Sequence, residues 1–309
     1  DTFVDSSWYM LRFASPDYQD GPFNPTALSE WLPVDQYTGG AEHAVMHLLY
    51  ARFFSKALRD LGLVDFGEPF LRLFNQGTII SSGTKMSKSR GNVMDPLDLI
   101  DIYGADALRF ALTGGNSPGN DMRLNEQKIE SSRNFANKLW NAARFVLSNI
   151  DESSAIDKWY DHRADHRHDR WILSRFNTVI SQVNRYMEEY QFGEAQRVLY
   201  EFMWNEYCDW YIEMAKVRIR SAPDGVLSPV PVLVYVLERM LRLLHPFMPF
   251  VTEEIWGKLV STIPVEPTRP EALIIAQYPT FIDDMRDTQA EAEIGLVIDI
   301  VRSVRNLRA

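Results

Sequence analysis

Apolar residues recur at helical spacing along most of the chain after residue 120. Trp171, Ile172, Phe176, Val179, Ile180, Val183, Met187 and Tyr190 share one stripe at a 3.6-residue period, with Arg175 the polar residue among them. Glu194 to Arg220 reads as a second helix, rich in aromatics, and Val232 to Leu244 as a third. The third ends at His245-Pro246-Phe247-Met248-Pro249, where each proline removes an N–H donor. Thr252 is expected to cap a fourth, with Glu253 and Glu254 in the first turn that a helix dipole favours for acids. Asn125 to Asn149 reads as one long helix, and helices joined by short turns imply an all-α bundle.

Before residue 116 the pattern is mixed. Val45 to Leu61 predicts a helix with Leu48, Leu49, Phe53, Ala57 and Leu61 on one face. Phe70 to Ile80 reads as a strand region running into the polar turn Ser81-Ser82-Gly83-Thr84. Pro96 to Ile102 is a short helix behind the N-cap Asp95, and Ala105 to Leu112 another. Strands alternating with helices point to an α/β domain, closed by a loop at Asn116 to Asn120.

The length of 309 residues allows about two domains. Apolar residues at 46% and charged residues at 24% are ordinary for a soluble globular protein. No apolar run is long enough to span a bilayer, and no signal-peptide pattern is present. Cys208 is the single cysteine, which excludes an intrachain disulfide and fits a reducing compartment. A net charge of −10 argues against a coat for nucleic acid, so any RNA contact requires a locally basic face. Residues 1–10 read as the interior of a domain and Val301 to Ala309 stops within a helical pattern, so both ends are expected to be cuts through a longer protein.

The sharpest chemical signal is Lys85-Met86-Ser87-Lys88-Ser89, between Gly83 and Gly91. Two lysines on a loop of small residues suit a polyphosphate, because positioned cations stabilise charge that shifts during reaction. Read alone, the stretch is also a solvated surface turn. Gly39 and Gly40 let a ligand approach the backbone ahead of a helix N-terminus, and Glu42 can accept hydrogen bonds from ribose hydroxyls. His43 and His47 share a helical face. A zinc pair without an evident third ligand and satisfied structural histidines are the other readings of that spacing. His162, His166 and His168 among Asp161, Asp165 and Asp169 read as a solvated linker rather than a metal cluster, so no metal site is expected.

The lysine loop continues into Gly91-Asn92-Val93-Met94-Asp95-Pro96 and Tyr103-Gly104-Ala105-Asp106-Ala107-Leu108-Arg109. Together these segments resemble the signature loop of class I aminoacyl-tRNA synthetases and the stretch C-terminal to that loop. The resemblance implies the C-terminal half of an α/β Rossmann-type catalytic domain, followed by an all-α anticodon-binding bundle. It implies ATP with Mg2+ as cofactors and an aminoacyl-adenylate as intermediate. On the family pattern, Lys85 and Lys88 are catalytic and contact the ATP phosphates. Gly39, Gly40, Glu42, His43, Met86 and Ser87 belong to the same ATP site, with the Met86 backbone near the adenine.

Residues Asp1 to Tyr9, Trp31 to Tyr37 and Gly39 to Tyr50 are similar to leucyl enzymes. Carried over, Phe3, Ser6, Tyr9, Tyr37, His43 and His47 surround the amino acid, and their aromatic faces suit a branched aliphatic side chain. Asn116 to Leu124, Arg133 to Phe145, Tyr207 to Tyr211 and Leu243 to Phe250 resemble valyl enzymes. Val297 to Ala309 resembles the segment leading into the terminal coiled coil of valyl enzymes. The pocket favours leucine. Valine, or a catalytically inert tRNA-binding relative, is the alternative. The resemblance further implies a cytoplasmic, monomeric parent enzyme with tRNA as partner and no membrane contact. The expected division is 1–115 catalytic, 116–166 stem and connector, 167–260 anticodon-binding bundle and 261–309 C-terminal extension. With the first half of the catalytic domain outside it, the chain alone is expected to be inactive. Trp204, Tyr207, Trp210 and Tyr211 stack on RNA bases or pack a core, while Lys216, Arg218 and Arg220 complement a helix dipole or face phosphate.

Overall fold

A computed structural model describes residues 3–81, 84–86, 91, 94–115, 119–150, 156–160, 164–221, 227–264 and 269–308. Its contacts form two units, Asp1–Lys85 with Ser117–Arg123, and Met86–Asn116 with Leu124–Ala309.

The first unit is α/β. Its helices are α1 (Tyr9–Phe13), α2 (Pro25–Trp31) and α3 (His47–Asp60), with single 3-10 turns at Asp5–Ser7 and Ala41–Val45. The strands are β1 (Tyr37–Gly40), β2 (Leu73–Gln76), β3 (Ile79–Ser81), β4 (Thr84–Lys85) and β5 (Met122–Arg123). β1 runs parallel to β2, with Tyr37 opposite Leu73 and Gly40 opposite Gln76. β3 pairs antiparallel with β4 and parallel with β5, which draws residues 117–123 back into this unit. The strand expected over Phe70 to Ile80 is therefore two strands broken at Gly77 and Thr78. Asn120 passes so close to Gly77 that a Cβ there would collide with its carbonyl oxygen, while Asp121 accepts the Thr78 N–H at 2.9 Å. α2 starts where Asn24 accepts the Thr26 N–H and Pro25 supplies a preset φ. The local core joins Leu11, Phe23 and Leu28.

One expectation for α3 fails. Leu49, Phe53 and Leu61 are 55%, 71% and 72% exposed, whereas His47, Leu48, Ala51 and Ser55 are buried. The buried arc is rotated because α3 packs on the two 3-10 segments, one of which runs straight into it.

The second unit is helical: α4 (Pro96–Tyr103), α5 (Ala105–Thr113), α6 (Glu126–Leu147), α7 (Arg167–Glu188), α8 (Phe192–Glu201), α9 (Ile212–Ser221), α10 (Val230–Leu244), α11 (Pro249–Thr262) and α12 (Thr288–Arg308). The long aromatic helix expected from Glu194 to Arg220 is interrupted between α8 and α9 by a π-helix at Phe202–Tyr211. α10 is buried on nearly every side, which explains its apolar composition all round. Its one buried acid, Glu238, accepts from Trp256 Nε1 at 2.9 Å and pairs with Arg242 at 2.7 Å.

The expected Thr252 cap is also corrected. Pro249 opens α11 earlier, and Thr252 is buried, donating to the Met248 carbonyl at 2.8 Å. The free N–H groups of Phe250 and Val251 are taken instead by the carboxylate of Asp106 from α5, at 3.2 and 2.6 Å. That is a tertiary helix cap, which no local pattern encodes. The connector is not uniformly solvated either. Trp159 is buried with its indole N–H on Pro264, and Asp169 is buried in the first turn of α7. Asp161 and His162 lie outside the described residues.

Candidate functional site

A cleft of about 500 Å³ opens in the α/β unit, within the size range of small-molecule sites. Phe3, Ser6, Tyr9, Tyr37, Gly39, Gly40, His43 and His47 all line it, although they come from two separate stretches of the chain, residues 3–9 and 37–47. β1 ends at Gly40, where a side chain would meet the movable end of the Glu42 side chain, while Gly39 has open space beside it. Glu42 itself is exposed and does not line the cleft. His43 lies in the 3-10 turn and His47 opens α3, their rings 6.3 Å apart edge to face.

The cleft is organised by a short polar chain. Tyr9 donates to the Tyr37 hydroxyl at 3.0 Å, and that hydroxyl lies 2.8 Å from His47 Nε2. The Tyr37 hydroxyl and His47 Nε2 share one hydrogen bond, with the donor set by the imidazole tautomer. His47 Nδ1 is buried and has no hydrogen-bond partner among the described residues. Burial, then the neighbouring His43, lowers the His47 pKa, in keeping with a neutral ring. Burial, then Tyr9, raises that of Tyr37. Tyr37 stacks on Phe70 at 3.9 Å, and Phe3 stacks on Tyr50 at 5.9 Å. The result is an aromatic, half-buried wall with one fixed line of hydroxyl and imidazole groups. Such a wall holds a compact apolar group and offers directed hydrogen bonds beside it.

Thr38, Leu73 and Gln76 also line the cleft and were missed by sequence reasoning. Leu73 and Gln76 arrive through the β1–β2 pairing, between segments more than thirty positions apart, and no local signal marks them. The lysine loop is placed only in part. The Lys85 backbone lies in β4 opposite Ile80, whereas its side chain, Ser87 and Lys88 lie outside the described residues. Met86 groups with the helical unit. Among the described residues no set of three His, Cys, Asp or Glu side chains could hold a metal. No helix among them is long and apolar enough to cross a membrane.

Comparison with known proteins decides the family. Residues 2–125 match the family of class I tRNA synthetases for I, L, M and V, and residues 169–309 match the anticodon-binding domain of tRNA ligases. The chain belongs to the class I aminoacyl-tRNA synthetases. It carries a segment of the synthetase catalytic domain and a helical anticodon-binding domain. A valine–tRNA ligase of Dehalococcoides mccartyi strain CBDB1 is 53% identical over 251 residues, 81% of this chain and 28% of the relative. That of Symbiobacterium thermophilum is 40% identical over 100% of this chain and 34% of its own length. The synthetase chain thus spans about a third or less of the relatives it matches. Among solved structures, the ternary complex of an Agrobacterium radiobacter K84 LeuRS with tRNA and LeuAMS aligns at a TM-score of 0.73 and 31% identity, covering 93% of this chain and 33% of that one. A Mycobacterium tuberculosis methionyl-tRNA synthetase with methionyl-adenylate aligns at 0.66 and 22% identity, covering 84% of this chain and 49% of that one, a likeness of fold alone.

Proposed function

We propose that the chain is part of a valine–tRNA ligase, which activates valine with ATP and transfers it to tRNA. The observation that carries this reading is the 53% identity to a valine–tRNA ligase, supported by a second such relative aligned over 100% of the chain, cleft included. The leucine expected from the pocket residues has less behind it, namely one structural neighbour at 31% identity. In the proposed reaction the aromatic wall of Phe3, Tyr9 and Tyr37 holds the aliphatic side chain. The glycine pair and His43 border the adenylate, while Lys85 and Lys88 meet the phosphates. No protein nucleophile is needed, because positioning and charge stabilisation do the chemistry.

The helical domain is proposed to grip the anticodon stem and loop of the same tRNA. In the intact enzyme, substituting the middle anticodon base should lower charging efficiency about tenfold or more, on the scale of one lost base contact of ~1–3 kcal/mol. Unchanged charging would mean that this domain reads shape alone.

A further inference from the structure

The π-wound stretch leaves two indoles half-buried, Trp204, which stacks on Tyr200 with Lys138 over its ring, and Trp210. Phe202, Met203, Tyr207, Cys208 and Tyr211 are buried, whereas Trp210 is half-buried. Two guanidinium groups of α12 lie over it, with Cζ of Arg302 and Arg305 at 5.8 and 5.3 Å from the ring centroid. Both arginines are exposed. Arg305 forms no ion pair with a described residue, and Arg302 makes only a 3.7 Å contact with Asp299.

Beside the ring lies a cleft of about 440 Å³, bordered by Arg175, Asn205, Trp210 and Arg302. Three of its four acids are already engaged, and the fourth, Asp299, meets Arg302 at 3.7 Å. Glu206 takes two bonds from Arg175 at 2.8 and 2.9 Å, Glu291 one from Ser174 at 2.5 Å, and Glu201 pairs with Arg197 at 2.9 Å. On a chain of net charge −10, Arg302, Arg305 and Arg308 make the end of α12 a locally basic rim.

A sheltered ring under loosely held cations is suited to exchange. Exposed cation–π contacts are weak, whereas a base stacked on an aromatic ring gains more and frees the guanidiniums for flanking phosphates. We propose that Trp210, with Arg302 and Arg305, is a stacking shelf for one unpaired base of single-stranded RNA. This rests on the reading of the helical domain as an anticodon binder. Because every base has a π-face, the shelf adds affinity and not base identity.

The test is binding of a labelled anticodon stem–loop RNA with a valine anticodon to the 309-residue chain, beside the same stem as a loopless duplex. Trp210→Ala should weaken stem–loop binding about tenfold or more, and Trp210→Phe should retain most of it. The double variant Arg302→Gln/Arg305→Gln should flatten the salt dependence, and duplex binding should not move. If Trp210→Ala binds the stem–loop as the parent does, or loses duplex binding equally, the shelf is overturned while the RNA-binding reading stands. If the parent chain binds neither RNA, that reading fails and the shelf with it. Should Trp210→Ala not fold, the arginine variant still decides, and unchanged affinity and salt slope would overturn the proposal.

Discussion

Tyr37 joins Tyr9 to His47 through one hydroxyl, and that group is where the cleft is most sensitive. Tyr37→Phe keeps the ring on Phe70 but leaves the buried His47 Nε2 without its hydrogen-bond partner. A buried polar atom stripped of its partner costs ~1–3 kcal/mol. In the intact enzyme the variant should therefore lower thermal stability, by on the order of 1–3 kcal/mol, and raise the KM for the amino acid. An unchanged KM would remove Tyr37 from the site. Phe3, Ser6, Tyr9, Tyr37 and the histidines were reached through the resemblance to leucyl enzymes, and no local pattern of their own marks them as neighbours. Leu73 and Gln76 were not legible, because they reach the cleft only through strand pairing. Glu42 was read as facing the site, but its segment is a 3-10 turn and the carboxylate lies by Gly40 outside the cleft.

Among the elements, the helices were readable wherever apolar residues kept a 3.6-residue period, as in α6, α7 and α10. Between α8 and α9 the buried residues are Phe202, Met203, Tyr207, Cys208, Tyr211 and Ile212, spaced by five and then four. That is the period of a π-helix, and it was visible in the sequence but read as α. The face of α3 and the cap of α11 escaped for a different reason, since both depend on which distant element packs there. Arg218 shows the same limit. Its guanidinium does not face solvent but meets buried Asp169 at 2.6 Å, and Asp169 also accepts from Tyr211 at 2.7 Å. This cluster ties α7, the π-helix and α9 together. Asp169→Asn leaves a buried guanidinium without its counter-charge, so unfolding in urea should show a loss of about 3–5 kcal/mol. A loss below about 1 kcal/mol would mean that solvent reaches the cluster.

For the molecule as a whole, His47, His166, His168 and His245 all have lowered pKa values, with burial the leading cause in each. As pH falls through about 6.5 the unfolded chain takes up protons that the folded histidines resist. Their contribution to stability is complete above that pH and is lost as pH drops toward the folded values. Tm should fall between pH 7.5 and 5.5, and a flat or rising Tm would contradict these burials. The central claim is that this α/β cleft and helical domain serve a synthetase that charges valine. Leucine is one methylene larger, and a hydrophobic pocket distinguishes such a pair by only ~1–3 kcal/mol, so the difference is modest but measurable. The most direct measurement is amino-acid-dependent ATP–pyrophosphate exchange by the intact enzyme, with valine and leucine compared at equal concentration. Valine should be favoured in kcat/KM by about tenfold or more. Equal rates, or a preference for leucine, would contradict the account.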